Sequence, residues 1–110
     1  MLLINLTSNI IHLVNDKGTV IKEFPPTGIV AKAIFVTTQI DTLFGQPVLI
    51  NELKGFENLP KPQQGIWYIV DRIVAEHAKR KDVITPYETC LSSANEKHQV
   101  VTTRKFIAFG

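Results

Sequence analysis

The sequence predicts one α+β domain, mainly β, built as a mostly antiparallel sheet or partly closed barrel with one helix laid on it. Three observations carry this. Short apolar runs alternate with turn residues through the first half. The apolar period changes once, near residue 70. The 110 residues, 45% hydrophobic and 20% charged, suit one globular core and leave no room for two. Surface scaling gives such a chain roughly 6,100 Å² exposed when folded.

The elements follow in order. Residues 2–6 (LLINL) read as a strand, and Thr7-Ser8-Asn9 as a turn cluster. Residues 10–14 and 19–24 form the clearest hairpin. They flank Asn15-Asp16-Lys17-Gly18, where Gly18 is free to take a positive φ. Pro25-Pro26-Thr27-Gly28 stops that strand, since neither proline can donate to a ladder. Residues 29–38 are long enough to suggest a bent or bulged strand. After a turn at 42–45, residues 47–53 make another. Residues 55–65 are loop-like, with Pro60, Pro62 and two glycines. Residues 66–70 (IWYIV) read as a buried strand.

Ile69, Ile73, Val74 and His77 then fall on one helical face, which predicts a helix over about 70–79. Residues 83–85 form a short strand ended by Pro86. Residues 87–97 read as loop, with a turn at 95–97. Residues 100–109 form a C-terminal strand. Its open edge suits a homo-oligomer interface.

Composition excludes several classes of function. The net charge of +2 is too small to imply nucleic-acid binding. No apolar run reaches the ~20 residues that span a bilayer, and no secretory leader pattern is visible, so the expected location is the cytoplasm. Cys90 has no partner for a disulfide. It also lacks a nearby base that would make it a nucleophile. His12, His77 and His98 show no ligand spacing, so no metal and no cofactor are expected. Phosphate-loop and GxGxxG patterns are absent.

Anion recognition is the chemistry that remains. Only three of twelve basic residues are arginines, the side chain suited to bidentate phosphate contacts. Arg72 falls in the first turn of the predicted helix behind Asp71, its expected N-cap. Arg80 and Asp82 bracket the far end. Lys32 follows the proline loop that holds Thr27, and Arg104 lies in the last strand. The candidate ligand residues are therefore Thr27, Lys32, Asp71, Arg72, Arg80, Asp82 and Arg104. Trp67, Tyr68 and Phe106 are candidate stacking faces. The alternative is that the charges solvate a surface and the aromatic residues fill the core.

Further landmarks run in a fixed order. These are Ile4-Asn5-Leu6-Thr7, Phe24 to Gly28 with Ala31-Lys32, Phe44-Gly45, and Gly55 with Leu59-Pro60 and Pro62. Gly65 follows, with Tyr68-Ile69-Val70 and Val74-Ala75, and Asp82-Val83 with Pro86 closes the series. This order resembles a family of short bacterial and phage proteins that read INLTPH, PPSG, a VAR-like step, FG…GLPxP, YIVS with LVA, and RxDVxxP. The resemblance covers residues 4–86. Ser8-Asn9 stand where the family has Pro-His, Thr27 and Asp71 where it has serines, and Lys32 where it has arginine. The resemblance implies kinship and a shared fold.

Three functions are compatible with these features. The first is a non-enzymatic binder of a small phosphorylated or nucleotide ligand, in its sharpest form a phage anti-defence sponge for a nucleotide immune signal. The second is a protein-interaction or structural phage component. The third is a small nucleotide hydrolase or lyase.

Overall fold

In the computed structural model, which describes residues 1–93 and 99–110, the chain forms ten strands and one helix. The elements are β1 (Leu2–Asn5), β2 (Ile10–Val14), β3 (Val20–Phe24), β4 (Lys32–Leu43), β5 (Gln46–Glu57), β6 (Ile66–Ile69), α1 (Arg72–Ala78), β7 (Val83–Tyr87), β8 (Cys90–Ser93), β9 (Gln99–Thr103) and β10 (Lys105–Ala108). The central sheet has the order β1-β6-β7-β10, and the second sheet β3-β2-β9-β8. β4 and β5 form a separate two-stranded ribbon.

The mainly β, one-helix expectation holds, but the sheets are mixed and none closes into a barrel. β6 runs parallel to both β1 and β7, and β2 runs parallel to β9. The cause lies in the connections. α1 carries the chain from the end of β6 back to the start of β7, and such a crossover makes the two strands parallel. Thr7-Ser8-Asn9 makes no hairpin either: it passes the chain from one sheet to the other.

Period-two alternation sorts the core into two layers. On β6, Ile66 and Tyr68 face one side with Val70, while Trp67 and Ile69 face the other. The first side packs against Val74 and Ala75 of α1, together with Leu6, Ala31 and Phe56. The second packs against Ile11 of β2 and Val101 of β9 in the second sheet. The layers are therefore helix, central sheet, second sheet. Tyr68, Ile69, Val70, Val74 and Val83 are each at most 1% exposed.

A polar hub ties these layers together. Asn5 and Thr7 are both buried. Asn5 Nδ2 donates to the carbonyls of Asn9 (2.8 Å) and Phe24 (2.9 Å). Its Oδ1 accepts from the Thr7 amide (3.0 Å) and the Thr7 hydroxyl (2.7 Å). Thr27 donates its hydroxyl to the Asn5 carbonyl at 3.0 Å. Between them, the Leu6 amide donates to Ile69, and the Leu6 carbonyl accepts from Ala31. One short segment thus joins β1, β2, the end of β3, the proline loop and β6.

Several boundaries differ from the sequence reading. α1 is shorter because Val70 still belongs to the sheet, donating its amide to Ile84. Lys79 closes the helix in the left-handed conformation, φ 51°. Residues 90–93, expected as loop, form β8 on the edge beside β9. The C-terminal strand is divided at Arg104. Thr103 Oγ1 bonds the carbonyls of Tyr87 (2.8 Å) and Lys105 (2.7 Å), so β9 and β10 pass into different sheets. The expected bulge in the long strand exists, as register shifts at Ile34/Phe35 and Gln39/Asp41. The second strand of that hairpin runs on to Glu57, so the loop starts later than expected. The expected turn at 95–97 and His98 lie outside the described residues.

Replacing Asn5 with Ala strands the Phe24 and Asn9 carbonyls and the Thr7 donors in a buried site. The variant should lose about 2–4 kcal/mol. Urea unfolding followed by Trp67 fluorescence measures this, and an unchanged midpoint would contradict the role given to Asn5.

Candidate functional site

Parallel strands deliver their following loops to one end of a sheet, and ligands of open sheets gather there. This chain has a cleft of about 250 Å³ at the carboxyl ends of β1, β6 and β7. Thr7 and Asn9 reach it from beyond β1, and Asp71 and Arg72 from beyond β6. Thr85, Glu88 and Thr89 border it at the end of β7, and Ile11 and Val101 of the second sheet give it apolar walls.

Its charges have defined settings. Asp71 occupies the N-cap position of α1 yet makes no side-chain capping bond, contrary to the capping expected from sequence. The cleft walls desolvate its carboxyl and raise its pKa. Arg72 Nε bonds Glu76 Oε1 one helical turn on, and its guanidinium lies 5.6 Å from the Phe109 ring centroid. Glu88, with φ 56°, reaches Lys105 Nζ at 3.3 Å. The cleft therefore offers one arginine, two carboxylates and threonine hydroxyls.

Of the seven ligand residues expected from sequence, Asp71 and Arg72 border this cleft. The other five sit elsewhere. Thr27 is bonded to Asn5 and stiffens the proline loop through its contact with the Ile29 amide. Lys32 is exposed at the base of the ribbon. Arg104 is exposed, 3.9 Å from Asp16 at the β2–β3 turn. Arg80 holds Asp82 with two bonds of 3.0 and 2.7 Å, while its third nitrogen donates to the Pro60 carbonyl. That clamp fastens the 58–65 loop to the entry of β7, and it holds the Asp82 carboxyl below its usual range.

The candidate stacking residues are inside the fold. Tyr68 is buried, and Trp67 and Phe106 pack between the sheets. Thr7, Asn9, Glu88 and Thr89 were missed as site residues because their segments read as turn and loop, and Thr85 because it read as the end of a short strand. Recognising the βαβ crossover around α1 would have pointed to them, since it fixes which strand ends share a rim.

Among the described residues, no three His, Cys, Asp or Glu side chains group to hold a metal. His77 is engaged structurally, with Nδ1 2.8 Å from the Ile73 carbonyl and its ring edge-on to Phe35. Cys90 is exposed on the edge strand β8. No helix among the described residues is long and apolar enough to cross a membrane. No protein-family model, curated protein sequence or solved structure matches this chain.

The two shifted carboxyls predict opposite pH responses. Asp82 is lowered, so its stabilisation is complete above the unfolded value near 4 and fades as pH falls through the folded value. Arg80→Ala should cost about 1 kcal/mol at neutral pH, with the deficit shrinking in acid. Asp71 is raised, so its ionisation penalises the folded state above the folded pKa. Asp71→Asn should be at least as stable as the parent at pH 7, and any gain should vanish by about pH 4. Urea midpoints from pH 3 to 7 test both; parallel curves for the parent and both variants would contradict them.

Proposed function

We propose that this protein is a non-enzymatic binder of a small, hydroxyl-bearing, anionic ligand of the nucleotide class, held at the carboxyl ends of the parallel strands. The observation that carries the reading is that Arg72 and Asp71 lie side by side on one rim of the cleft. An arginine fork suits a phosphate. A carboxylate beside it repels a bare phosphate but accepts hydrogen bonds from sugar hydroxyls, as acidic residues do for ribose in dinucleotide sites. Thr85 and Thr89 add hydroxyls, and Ile11 and Val101 add an apolar wall. A cleft of about 250 Å³ suits part of a nucleotide, with the rest reaching solvent.

The resemblance to short bacterial and phage proteins supports a sharper form. In it the protein acts as an anti-defence sponge that lowers the free concentration of a nucleotide-derived immune signal in the host cytoplasm. A sponge needs tight, stoichiometric binding and no turnover. Two candidates for such chemistry are engaged structurally: Thr7 donates its hydroxyl to Asn5, and His77 faces Ile73 and Phe35. A protein-interaction or structural phage component is the second reading, favoured by the exposed ribbon.

Native mass spectrometry with cyclic and linear nucleotides, including adenosine-diphosphate-ribose derivatives, tests the proposal. The expected result is one intact ligand per cleft, recovered unchanged on denaturation. Arg72→Ala should weaken binding at least tenfold, a loss of about 1.5–3 kcal/mol. Glu76→Gln should strengthen it, because Glu76 competes with the ligand for the same guanidinium. A chemically altered product would replace the binder with an enzyme. Empty protein across the whole panel would leave the interaction reading.

A further inference from the structure

The β4–β5 ribbon is long, and little of it is covered. Its 12-residue strands meet at Phe44-Gly45, both with positive φ (51° and 79°), the signature of a type I′ turn. A glycine suits that turn, whereas a phenylalanine is strained there, and the Phe44 ring is fully exposed. A two-stranded ribbon is marginal alone. This one makes the molecule 55 Å long, with a radius of gyration of 16.8 Å against about 13 Å for a compact chain of this length. The exposed area is 7483 Å², about 1,400 Å² above the value scaled from mass. Seven of the fourteen exposed large hydrophobic residues among those described lie on the ribbon.

The two faces of the ribbon differ. Residues paired across an antiparallel ladder share a face, and the face alternates along each strand. One face holds Phe35 and Leu53 at the base, half-buried beside α1. Beyond them it carries Thr37 bonded to Asn51, then Gln39 paired with the exposed Leu49. The opposite face carries Ile34, Val36, Ile50, Val48 and Leu43 in succession. Lys32 and Glu57, paired across the ladder, mark the base of that row and Asp41 its outer part, with Glu52 beside Val36.

We infer that this aliphatic face packs against the same face of a second copy of the chain, antiparallel about a twofold axis. Three observations select a second copy over other occupants. The row runs the length of the ribbon, so a matching row can cover it. The antiparallel arrangement brings the base of one ribbon toward the outer part of the other. The same overlap carries Phe44 from the tip toward the partner's body, where its ring can be covered. The surplus of about 1,400 Å² per chain exceeds the ~800 Å² that each partner buries in an ordinary stable interface.

Sedimentation equilibrium of the full chain across about 1–100 μM tests this. The expected result is a dimer for the parent and a monomer for Val36→Lys/Ile50→Lys, with unchanged near-ultraviolet circular dichroism showing that the body remains folded. Thr37→Lys, on the other face, should remain dimeric. A monomeric parent at 100 μM would overturn the inference. So would a dimer that survives the double substitution, or one that Thr37→Lys dissolves equally well. Should the double variant lose its near-ultraviolet signal, Ile50→Thr takes its place, with a dissociation constant raised at least tenfold supporting the inference and an unchanged one overturning it.

Discussion

A buried carboxamide needs a partner for every donor and acceptor it carries, and Asn5 meets that need with four hydrogen bonds to Thr7, Asn9 and Phe24. Its two donors fix the carbonyls that end β3 and precede β2, and its acceptor turns the chain at Thr7. The backbone on either side bonds β6, Ala31 and Thr27. Each partner satisfies a group that would otherwise be buried unpaired, and the described residues contain no buried side-chain polar atom without a partner. The two sheets separate at this point, so the hub sets both the fold of the body and the opening of the cleft.

The cleft follows from the same arrangement. Because β1, β6 and β7 run the same way, their exits share a rim, and the turn after Asn5 brings Asn9 to it. The crossover helix places Asp71 and Arg72 on that rim. The Arg72 guanidinium bonds Glu76 and lies over Phe109. The far end of the helix serves another purpose: Arg80 and Asp82 fasten a proline-rich loop to the sheet. The chain thus spends its arginines differently. Arg72 alone faces a space that a ligand can enter, Arg80 is enclosed by partners, and Arg104 lies near Asp16 at the opposite turn.

Local physics made much of the fold legible. Asn15 to Gly18 specified the β2–β3 hairpin through turn chemistry, and the change of period near Ile69 revealed the helix. The unbroken apolar run Ile66-Trp67-Tyr68-Ile69-Val70 marked a buried strand. Pairing direction was hidden, because it depends on where the chain returns after each connection rather than on any residue within a strand. The division at Arg104 was hidden for a related reason: the bonds from Thr103 to Tyr87 and Lys105 form only once two sheets are in place. In the site, Arg72 and Asp71 were legible from their place at a helix start. Thr85, Glu88 and Thr89 were not, since only the topology gathers them.

The Asn5-Leu6-Thr7 segment is expected to be the last part of the protein to open. Hydrogen–deuterium exchange of the native protein, read amide by amide, tests this most directly. The amides of Leu6, Thr7 and Ala31 should exchange only through global unfolding, orders of magnitude more slowly than those of the outer ribbon around Gln39 to Val48. Exchange at Thr7 and Ala31 as fast as in the ribbon would contradict it.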